Sequence, residues 1–491
     1  MTDITLNKGS YYHFMGQNTK KYIPILILVL IAFALQIHQL GSQNFSGDEI
    51  LSIRFGANFI NYNDNHPPLY YGVVAVWQQL GDSEFFLRFT SVIVSILAIS
   101  LFYQVGNKLI GYQNSLVATL LMSVSPIIVW HAQDLRMYSQ LLMFSGLTIY
   151  LYCQVLSRKS TVAWWKYAIG ALLALFTHIY AILLIIALGI HFLLFYNNRL
   201  RGWLTAHIFI ALAYIPALLF MLSHLATQVG YFRQASPLYI LYTYFAFVVG
   251  YDLGPTNSEL RLLNFSVLQP YLPLLILLGT LVSLLGIVGL RTLWKADKNR
   301  TSLIVLIAVF PVMAGIIISA FFPRVTFNVR YVIVALPAFL WIIASGIRAI
   351  YPLGKILLLV LLVVSGAALQ NHYLALDYAK EDVRSAAQYI QSTTQPETPI
   401  VVITVSQIFH WYFEGQNTIV SYNGSLTLDD LIETIDHDRV WLVQSRVWQA
   451  DPDGQVETYF NTYFTPITTQ NFQGVKITEY CRLNCDESSN E

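Results

Sequence analysis

The chain has 491 residues, of which 56% are hydrophobic and only 11% are charged, and its net charge is +1. A soluble globular chain carries about 25% charged residues, so this composition excludes an ordinary soluble protein and indicates a membrane protein. The basic residues are scattered between apolar runs, and nucleic acid is therefore not an expected partner.

The small net charge conceals two regions of opposite character. Residues 1–371 hold 10 acidic and 22 basic side chains, whereas residues 372–491 hold 17 acidic and 6 basic side chains. Regions that differ in this way are suited to different solvents. We therefore predict a membrane domain over residues 1–371 and a soluble acidic domain over residues 372–491.

Long apolar runs recur through the first region, and most are close to the ~20 residues that a helix needs to cross a bilayer. They predict an all-α polytopic bundle of about 11 transmembrane helices. We interpret the first run as an anchor rather than as a removed signal peptide. The runs are 23–40, 85–106, 114–130, 139–157, 163–180, 181–196, 204–222, 271–290, 301–321, 331–350 and 355–371.

The positions of the basic residues predict the orientation of the bundle. With a cytoplasmic N-terminus every cytoplasmic turn is basic, as the positive-inside rule requires. The extracytoplasmic face then receives the loop 41–84, the turn 131–138 and the C-terminal domain. It also receives eight of the ten acidic residues of the membrane region. We therefore predict a multi-pass protein of the cell (inner) membrane with its chemistry on the outer face.

The C-terminal region has the pattern of a small α/β domain. Helices are predicted over 379–393 and 426–435, and strands over 399–405, 439–444 and 474–482. The region has no Gly-rich phosphate loop, and we expect no catalytic role for it.

The loop 41–84 contains two amphipathic pieces, 48–61 and 67–80, and the adjacent acids Asp48 and Glu49. Acids in the first turn of a surface helix are ordinary, because the helix dipole favours them. A carboxylate held at the membrane face could instead act as a general base, and the low dielectric there would raise its pKa. The residues leave both interpretations open.

Asp134 lies in a second turn on the same face, two residues before Arg136. The two could form a surface ion pair that contributes little. Two separate turns that each present an acid at the same level favour a shared site, because an acid near the bilayer is costly unless it is used or paired.

Two histidines and two further arginines belong to the same face. Pro67 and Pro68 hold the backbone of His66 extended, and His178 lies near the outer end of an apolar run. Each histidine could bind substrate, or it could belong to a rigid loop or a packed interior. Arg324 and Arg330 could bind a phosphate group, or they could anchor the interface by snorkelling.

The order of these motifs is similar to that of a known family. The motifs are Asp48-Glu49, His66-Pro67-Pro68-Leu69-Tyr70-Tyr71, Gly81-x-x-Glu84-x-x-x-Arg88, Asp134-x-Arg136-x-Tyr138 and Arg330-Tyr331. Their order resembles the integral-membrane glycosyltransferases of the C superfamily (GT-C). It more closely resembles the bacterial branch related to dolichyl-phosphate-mannose protein mannosyltransferases and to the lipid A aminoarabinose transferase. The resemblance covers residues 20–390 and includes the stretch Lys380-Glu-Asp-Val-Arg384.

The resemblance implies a GT-C-like fold and a glycosyltransferase with a sugar on a polyprenyl phosphate as its donor. The acceptor would reach the site from the extracytoplasmic side, and the anomeric carbon would be inverted. Asp48 would be the general base, Glu49 would orient the site, and Asp134 would bind substrate hydroxyls. The candidate phosphate ligands are Arg136, Arg324 and Arg330, with Arg330 favoured; the other candidate substrate-binding residues are His66, Tyr70, Tyr138, His178 and Tyr331.

The implied reaction leaves the partners open. The acceptor could be a lipid, a glycan or a protein, and membrane lipids surround the bundle. We predict no metal site, because the sequence has no dense His/Glu cluster, although a divalent ion at Asp134 is compatible with the family. A polytopic lipid or sugar transporter is the alternative class, and the lack of an internal repeat of spans disfavours it.

Overall fold

The computed structural model describes residues 8–61, 66–157, 160–196, 199–225, 236–256, 259, 269–322, 325–423, 427–435 and 437–482. Most of the described chain is helical. Through Leu374 the helices are α1 (Lys8–Ile37), α2 (Gly47–Ala57), α3 (Leu69–Trp77), α4 (Glu84–Ile110), α5 (Tyr112–Ser123), α6 (Pro126–Ala132), α7 (Tyr138–Ser157), α8 (Thr161–Thr177), α9 (Ala181–Phe195), α10 (Leu200–Leu225), α11 (Leu238–Val249), α12 (Leu272–Ala296), α13 (Lys298–Phe321), α14 (Leu336–Ala349) and α15 (Leu353–Leu374).

Every apolar run predicted from the sequence is mostly helical, so the polytopic all-α bundle is confirmed. Within the described residues, seven helical stretches are long and apolar enough to cross a membrane. α5 and α6, which are bent by 57° at their junction, make an eighth if the pair counts as one span. Shorter apolar helices are the second half of α1, α8, α9 and α11. Of these, α11 was not predicted. The chain is a multi-pass membrane protein.

The structure confirms the division between the predicted apolar runs 163–180 and 181–196. α8 ends at Thr177, His178 has an extended backbone, and α9 begins at Ala181. The amide of His178 still donates to the carbonyl of Ala174, at 3.0 Å, which closes the last turn of α8. The break therefore holds His178 in a fixed turn between two helices.

The two ends of the bundle differ in charge. At one end the basic turns meet, where Arg300 Nη1 donates to the carbonyl of Lys108, at 3.1 Å, and Arg199 donates to the carbonyl of Leu156, at 3.0 Å. The other end carries α2, α3 and the 133–137 turn between α6 and α7. We call this second end the site end.

The helices α2 and α3 cover the site end. α2 begins after Ser46, whose hydroxyl accepts from the amide of Glu49 while the Glu49 carboxylate accepts from the amide of Ser46, a capping box. α3 begins directly after Pro68. The two helices approach closely at Gly56, where a Cβ would lie 2.9 Å from Val74 Cγ1. This contact packs the last turn of α2 closely against α3.

The C-terminal domain is an α/β sheet with helices, as predicted. Its helices are α16 (Val383–Thr393), α17 (Ser406–Tyr412), α18 (Leu428–Thr434), α19 (Val447–Ala450) and α20 (Gln455–Tyr463). Its strands are β1 (Ile400–Ile403), β2 (Ile419–Tyr422), β3 (Arg439–Gln444), β4 (Phe464–Phe472) and β5 (Val475–Arg482). The sheet order is β2-β1-β3-β5-β4, with β2, β1 and β3 parallel and β3, β5 and β4 antiparallel.

The C-terminal domain and the site end share one hydrophobic core. Ile50 of α2, Tyr71 of α3 and Leu135 of the 133–137 turn belong to the same buried cluster as Ile390 of α16 and Val402 of β1. Burial of apolar side chains stabilises such a contact by about 1.5–3 kcal/mol for each large side chain. The domain is therefore fixed against the elements that hold the candidate site.

Candidate active site

The first turn of α2 places its two carboxylates in different surroundings. The side chain of Glu49 is completely buried, whereas the side chain of Asp48 is 47% exposed. Successive residues of a helix point about 100° apart, because a turn has 3.6 residues. Glu49 therefore faces the protein interior, and Asp48 faces the partly exposed side of α2. The sequence left open the interpretation that both acids are solvated at the start of a surface helix. That interpretation is excluded for Glu49, because its side chain is buried.

Glu49 is the centre of a buried ion network. Its Oε1 accepts from Arg88 Nε at 2.7 Å and from the amide of Leu135 at 3.0 Å. Its Oε2 accepts from Lys380 Nζ at 2.8 Å, from Arg88 Nη2 at 3.0 Å and from the amide of Ser46 at 2.8 Å. Burial raises the pKa of Glu49, but Arg88 and Lys380 outweigh burial and hold it far below its usual range. Glu49 is an anion with every acceptor direction in use.

Arg88 completes this network. Beyond Glu49 it donates to the carbonyls of Leu40 at 3.0 Å, Gln43 at 2.8 Å and Asn44 at 2.9 Å. A guanidinium has five N–H donors in a fixed plane, and here they join α4 to the chain that leads into α2. Arg88 and Glu49 together set where the first turn of α2 lies.

Asp48 forms an ion pair with Arg330, the arginine that the sequence analysis favoured as the phosphate ligand. Arg330 Nη1 donates to Asp48 Oδ2 at 3.3 Å. Burial raises the pKa of Asp48, but the guanidinium groups of Arg136 and Arg330 outweigh burial and lower it. The expected rise in the pKa of this carboxylate is therefore wrong for the protein without substrate. The low dielectric is present, but two cations 88 and 282 positions away in the chain overcome it.

Asp134 has the raised pKa instead. Burial and the negative charge of Glu49 raise the pKa of Asp134 to about 6, against the lowering effect of Lys380 and Arg136. Its nearest recorded cation is Lys380, whose Nζ lies 4.0 Å from Asp134 Oδ1. Asp134 and Arg136 are both buried, so the surface ion pair that the sequence left open is excluded.

Arg136 is directed at α2 rather than at Asp134. Its Nη1 donates to the carbonyl of Asp48 at 3.0 Å and to the hydroxyl of Ser52 at 3.1 Å. The guanidinium therefore supports the backbone beneath Asp48 and adds a positive charge to the site. Asp48, Asp134, Arg136 and Arg330 thus converge at the site end.

An aromatic wall lines the site beside Arg330. The guanidinium carbon of Arg330 lies 5.3 Å from the ring centroid of Tyr138 and 5.6 Å from that of Tyr331. The ring of Tyr331 lies 5.2 Å from that of His178, and the rings of His178 and His66 are 6.3 Å apart. Two of these four predicted binding residues, Tyr138 and Tyr331, therefore lie beside Arg330, and His178 and His66 continue the wall beyond Tyr331. Arg324 lies outside the described residues.

Several buried polar atoms of this region have no hydrogen-bond partner within the described protein. Such orphan atoms are costly in a low-dielectric interior unless a ligand or water supplies the partner. They are Arg330 Nε, Arg136 Nε, Tyr138 Oη, Tyr70 Oη and both ring nitrogens of His131. This set contrasts with the saturated network of Glu49.

Sequence reasoning assigned no role to Arg88, His131 or Lys380. Arg88 and Lys380 both stand in motifs that carried the family resemblance, so the signal was present. His131 was visible only as part of the polar turn before Asp134. No group of three or more potential metal ligands occurs in the part of the chain that the structure describes.

Part of the chain is similar in sequence to known proteins. Residues 65–230 match the family model described as dolichyl-phosphate-mannose-protein mannosyltransferase. An uncharacterized protein of Aquifex aeolicus (strain VF5) is 27% identical over 173 residues, which are 32% of this chain and 34% of that protein. The matched part thus spans about a third of the relative.

Comparisons of structure cover almost the whole chain. ArnT from Cupriavidus metallidurans in the apo state matches 93% of this chain and 97% of its own, with a TM-score of 0.57 and 11% identity. The same protein bound to undecaprenyl phosphate gives a TM-score of 0.55 at 12% identity over the same shares. The Archaeoglobus fulgidus oligosaccharyltransferase gives 0.50 at 13% identity, over 93% of this chain and 73% of its own. The chain has this fold, and the resemblance read from the motifs is confirmed.

Proposed function

We propose that the protein is a GT-C-type glycosyltransferase that moves a sugar from a polyprenyl-phosphate donor to an acceptor hydroxyl. The observation that carries the proposal is the pair of Asp48 and Arg330, joined at 3.3 Å, in which the carboxylate is 47% exposed. One half-exposed carboxylate can take a proton, and one guanidinium can hold a phosphate. The match to an ArnT bound to undecaprenyl phosphate supports a polyprenyl donor.

The charge of the site suits a phosphodiester. Arg88, Arg136, Arg330 and Lys380 bring four positive charges, and Asp48, Glu49 and Asp134 bring three negative ones. One positive charge is left without compensation. A polyprenyl-phosphate sugar carries one negative charge at its phosphodiester, so its binding would neutralise the site. Arg330 is suited to bind it, because its Nε has no protein partner.

The proposed reaction is a single displacement. Asp48 accepts the proton of the acceptor hydroxyl as its oxygen attacks the anomeric carbon. The bond between that carbon and the phosphate oxygen breaks, and the electron pair stays on the phosphate. Arg330 stabilises the charge that develops there, which is the usual main contribution to catalysis at such centres. One displacement inverts the anomeric carbon, and the products are the glycoside and polyprenyl phosphate.

Donor binding would also prepare the base. In the structure Arg330 lowers the pKa of Asp48. When a phosphate takes the guanidinium, its negative charge offsets that effect, and the pKa of Asp48 moves toward the range of an effective base. Donor binding would therefore make Asp48 a better acceptor for the proton of the attacking hydroxyl.

The remaining candidate residues fit the sugar and its hydroxyls. Tyr138, Tyr331, His66 and His178 offer ring faces beside Arg330. Tyr70 and Tyr138 have hydroxyl groups without protein partners, and Asp134 supplies carboxylate oxygens. We place this end of the bundle on the extracytoplasmic face, with the N-terminus in the cytoplasm and the acceptor a lipid, glycan or protein.

The test is transfer in purified membranes that contain the natural acceptor. Labelled undecaprenyl-phosphate sugars (a hexose, a pentose and an amino sugar) are supplied to the native protein, to Asp48→Asn and to Asp82→Asn. Asp82 is an exposed acid of the same loop and is the matched control. We expect transfer by the native protein and the control, and a loss of about 1,000-fold or more in Asp48→Asn, because the base is absent.

Two results would contradict the proposal. Equal transfer by Asp48→Asn would remove Asp48 as the base. If no donor gives transfer and the labelled lipid instead crosses vesicle membranes, the protein is a lipid transporter.

A further inference from the structure

Lys380 belongs to the segment that joins the last bundle helix to the C-terminal domain. α15 ends at Leu374 and α16 begins at Val383. The amide of Lys380 donates to Gln43 Oε1 at 3.1 Å, which ties the backbone to the chain before α2. Its side chain then runs inward and is only 24% exposed. The segment therefore reaches into the candidate active site.

The ammonium of Lys380 lies between two carboxylates from different elements. Nζ is 2.8 Å from Glu49 Oε2 of α2 and 4.0 Å from Asp134 Oδ1 of the 133–137 turn. A single cation thus bridges the helix that carries Asp48 and the turn that carries Asp134. Removing it would leave two buried like charges facing each other, which costs more in a low dielectric than in water.

The segment around Lys380 is held from both sides. Arg384 donates to Glu84 Oε1 at 2.9 Å and to the carbonyl of Ser42 at 2.7 Å. Tyr412 of α17 accepts from the amide of Phe45 at 2.7 Å and donates to Glu84 Oε1 at 2.9 Å. The amide of Asp382 donates to the carbonyl of Gln473, at 2.7 Å. The position of Lys380 is therefore set by the C-terminal domain as well as by the bundle.

We propose that Lys380 is a positioning residue of the transfer reaction, through which the C-terminal domain holds Glu49 and Asp134 in their working arrangement. It touches neither donor nor acceptor; it acts through the two carboxylates. The proposal rests on the glycosyltransferase function above. It gives the C-terminal domain a part in the active site, which the sequence did not predict.

The electrostatics of Asp134 explain why one lysine matters. The groups that face Asp134 are Glu49 and Asp48 of α2, Tyr70 of α3, Arg88 of α4, Arg136 of its own turn, and Lys380. Burial and the charge of Glu49 raise the pKa of Asp134 to about 6. Among the cations that lower it, Lys380 has the largest effect. Without Lys380 the pKa of Asp134 would rise further, so a larger fraction of Asp134 would be protonated at a given pH.

The first experiment compares the pH profile of transfer for the native protein, Lys380→Met, Lys380→Arg and Lys476→Met. Lys476 is a matched control, because its Nζ pairs with Glu457 at 2.7 Å within the C-terminal sheet domain. We expect kcat to fall about 100-fold in Lys380→Met, since small displacements of reacting groups have effects of that size. The acid limb should move upward by about 1–2 pH units, because an opposite charge at 4–6 Å shifts a pKa by that amount. Lys380→Arg should restore most of the rate and of the profile.

The second experiment needs no substrate. The amides of Ser46 and Leu135 both donate to the Glu49 carboxylate. If Lys380 holds that carboxylate, Lys380→Met should speed hydrogen exchange at these two amides by about tenfold or more, whereas Lys476→Met should not. Unchanged exchange at both amides would overturn the proposal.

The outcomes separate this proposal from the function it rests on. Faster exchange together with an unchanged pH profile and a normal kcat would make Lys380 a structural residue only and would overturn its positioning role. Absence of transfer by the native protein with every donor refutes the glycosyltransferase function. In that case the exchange result still decides whether Lys380 holds the two carboxylates.

Discussion

Two neighbouring regions at the site end differ in how completely their polar groups are paired. Around Glu49 every acceptor direction is used, by two cations and two backbone amides. Around Asp48 the carboxylate is half exposed, and buried polar atoms of Arg136, Arg330 and Tyr138 have no partner in the described protein. The first region is complete without a substrate, and the second is not.

Under the proposed function, this difference assigns a structural role to Glu49 and the chemical role to Asp48. A buried anion whose acceptor positions are all occupied by donors stabilises the fold only while those donors stay in place. Removing one partner of such a buried ion pair is strongly destabilising. A site that awaits a ligand keeps donors and acceptors free for it and tolerates the cost in the empty state. Adjacent positions of one helix turn can therefore serve opposite purposes, because they point to opposite environments.

The largest expected effect is on stability, from Glu49→Gln. The change keeps the shape but leaves Arg88 and Lys380 buried without their anion, so we expect a loss of about 3–5 kcal/mol. Because the pKa of Glu49 is lowered in the folded protein, its contribution is present above its usual pKa and is lost only as the pH falls below it. Thermal denaturation in detergent at neutral pH measures the change.

Asp48→Asn is the control for this prediction. Its side chain is half exposed and pairs with Arg330 at 3.3 Å, so its denaturation temperature should stay close to that of the native protein. Equal destabilisation by both substitutions would break the distinction between the two regions.

The second expected effect is on catalysis, from Arg330→Lys. A lysine keeps the charge but loses the planar fork that binds phosphate through two N–H groups. We expect kcat/KM to fall by about 100-fold, equivalent to about 2.7 kcal/mol, with little change in stability. Initial rates against donor concentration measure it, and binding of undecaprenyl phosphate should weaken in parallel.

Arg300→Lys is a matched control at the other end of the bundle. Arg300 also pairs with an aspartate, Asp297, at 3.1 Å, but both side chains are exposed. Exposed pairs contribute about 0–1 kcal/mol, so this change should leave transfer and stability as they are. A similar loss in both variants would show a general effect of arginine replacement rather than a phosphate site.

The sequence predicted the parts of this architecture that local patterns determine. Hydropathy located the bundle helices, and the predicted amphipathic piece 48–61 corresponds to α2 (Gly47–Ala57). β3 was predicted over the residues it occupies. β4 was missed, because most of its side chains are exposed and it has no apolar alternation.

The electrostatics of the site could not be predicted in the same way. The direction of the pKa shift of Asp48 depends on Arg136 and Arg330, and nothing local shows that either guanidinium lies beside it. Lys380 is 331 positions from Glu49 and reaches it only because the C-terminal domain packs on α2 and α3. The motif order indicated which residues belong to one site, but only packing determines which carboxylate each cation faces.

The smallest expected effect tests whether the unpaired atoms await a substrate. Tyr138→Phe removes a buried hydroxyl that has no partner in the described protein. If the substrate supplies that partner, transfer should fall about fivefold to tenfold, which corresponds to the loss of one hydrogen bond of about 1 kcal/mol. Stability should be unchanged or slightly higher.

Tyr152→Phe should have the reverse effect, since Tyr152 Oη is already hydrogen-bonded to His191 Nδ1 at 2.7 Å inside the bundle. Its loss leaves His191 Nδ1 without a partner, so stability should fall by about 1–3 kcal/mol with the rate unchanged. Two tyrosines with the same substitution and opposite responses would establish that the open region is built for a ligand; matching responses would mean that Tyr138 serves packing alone.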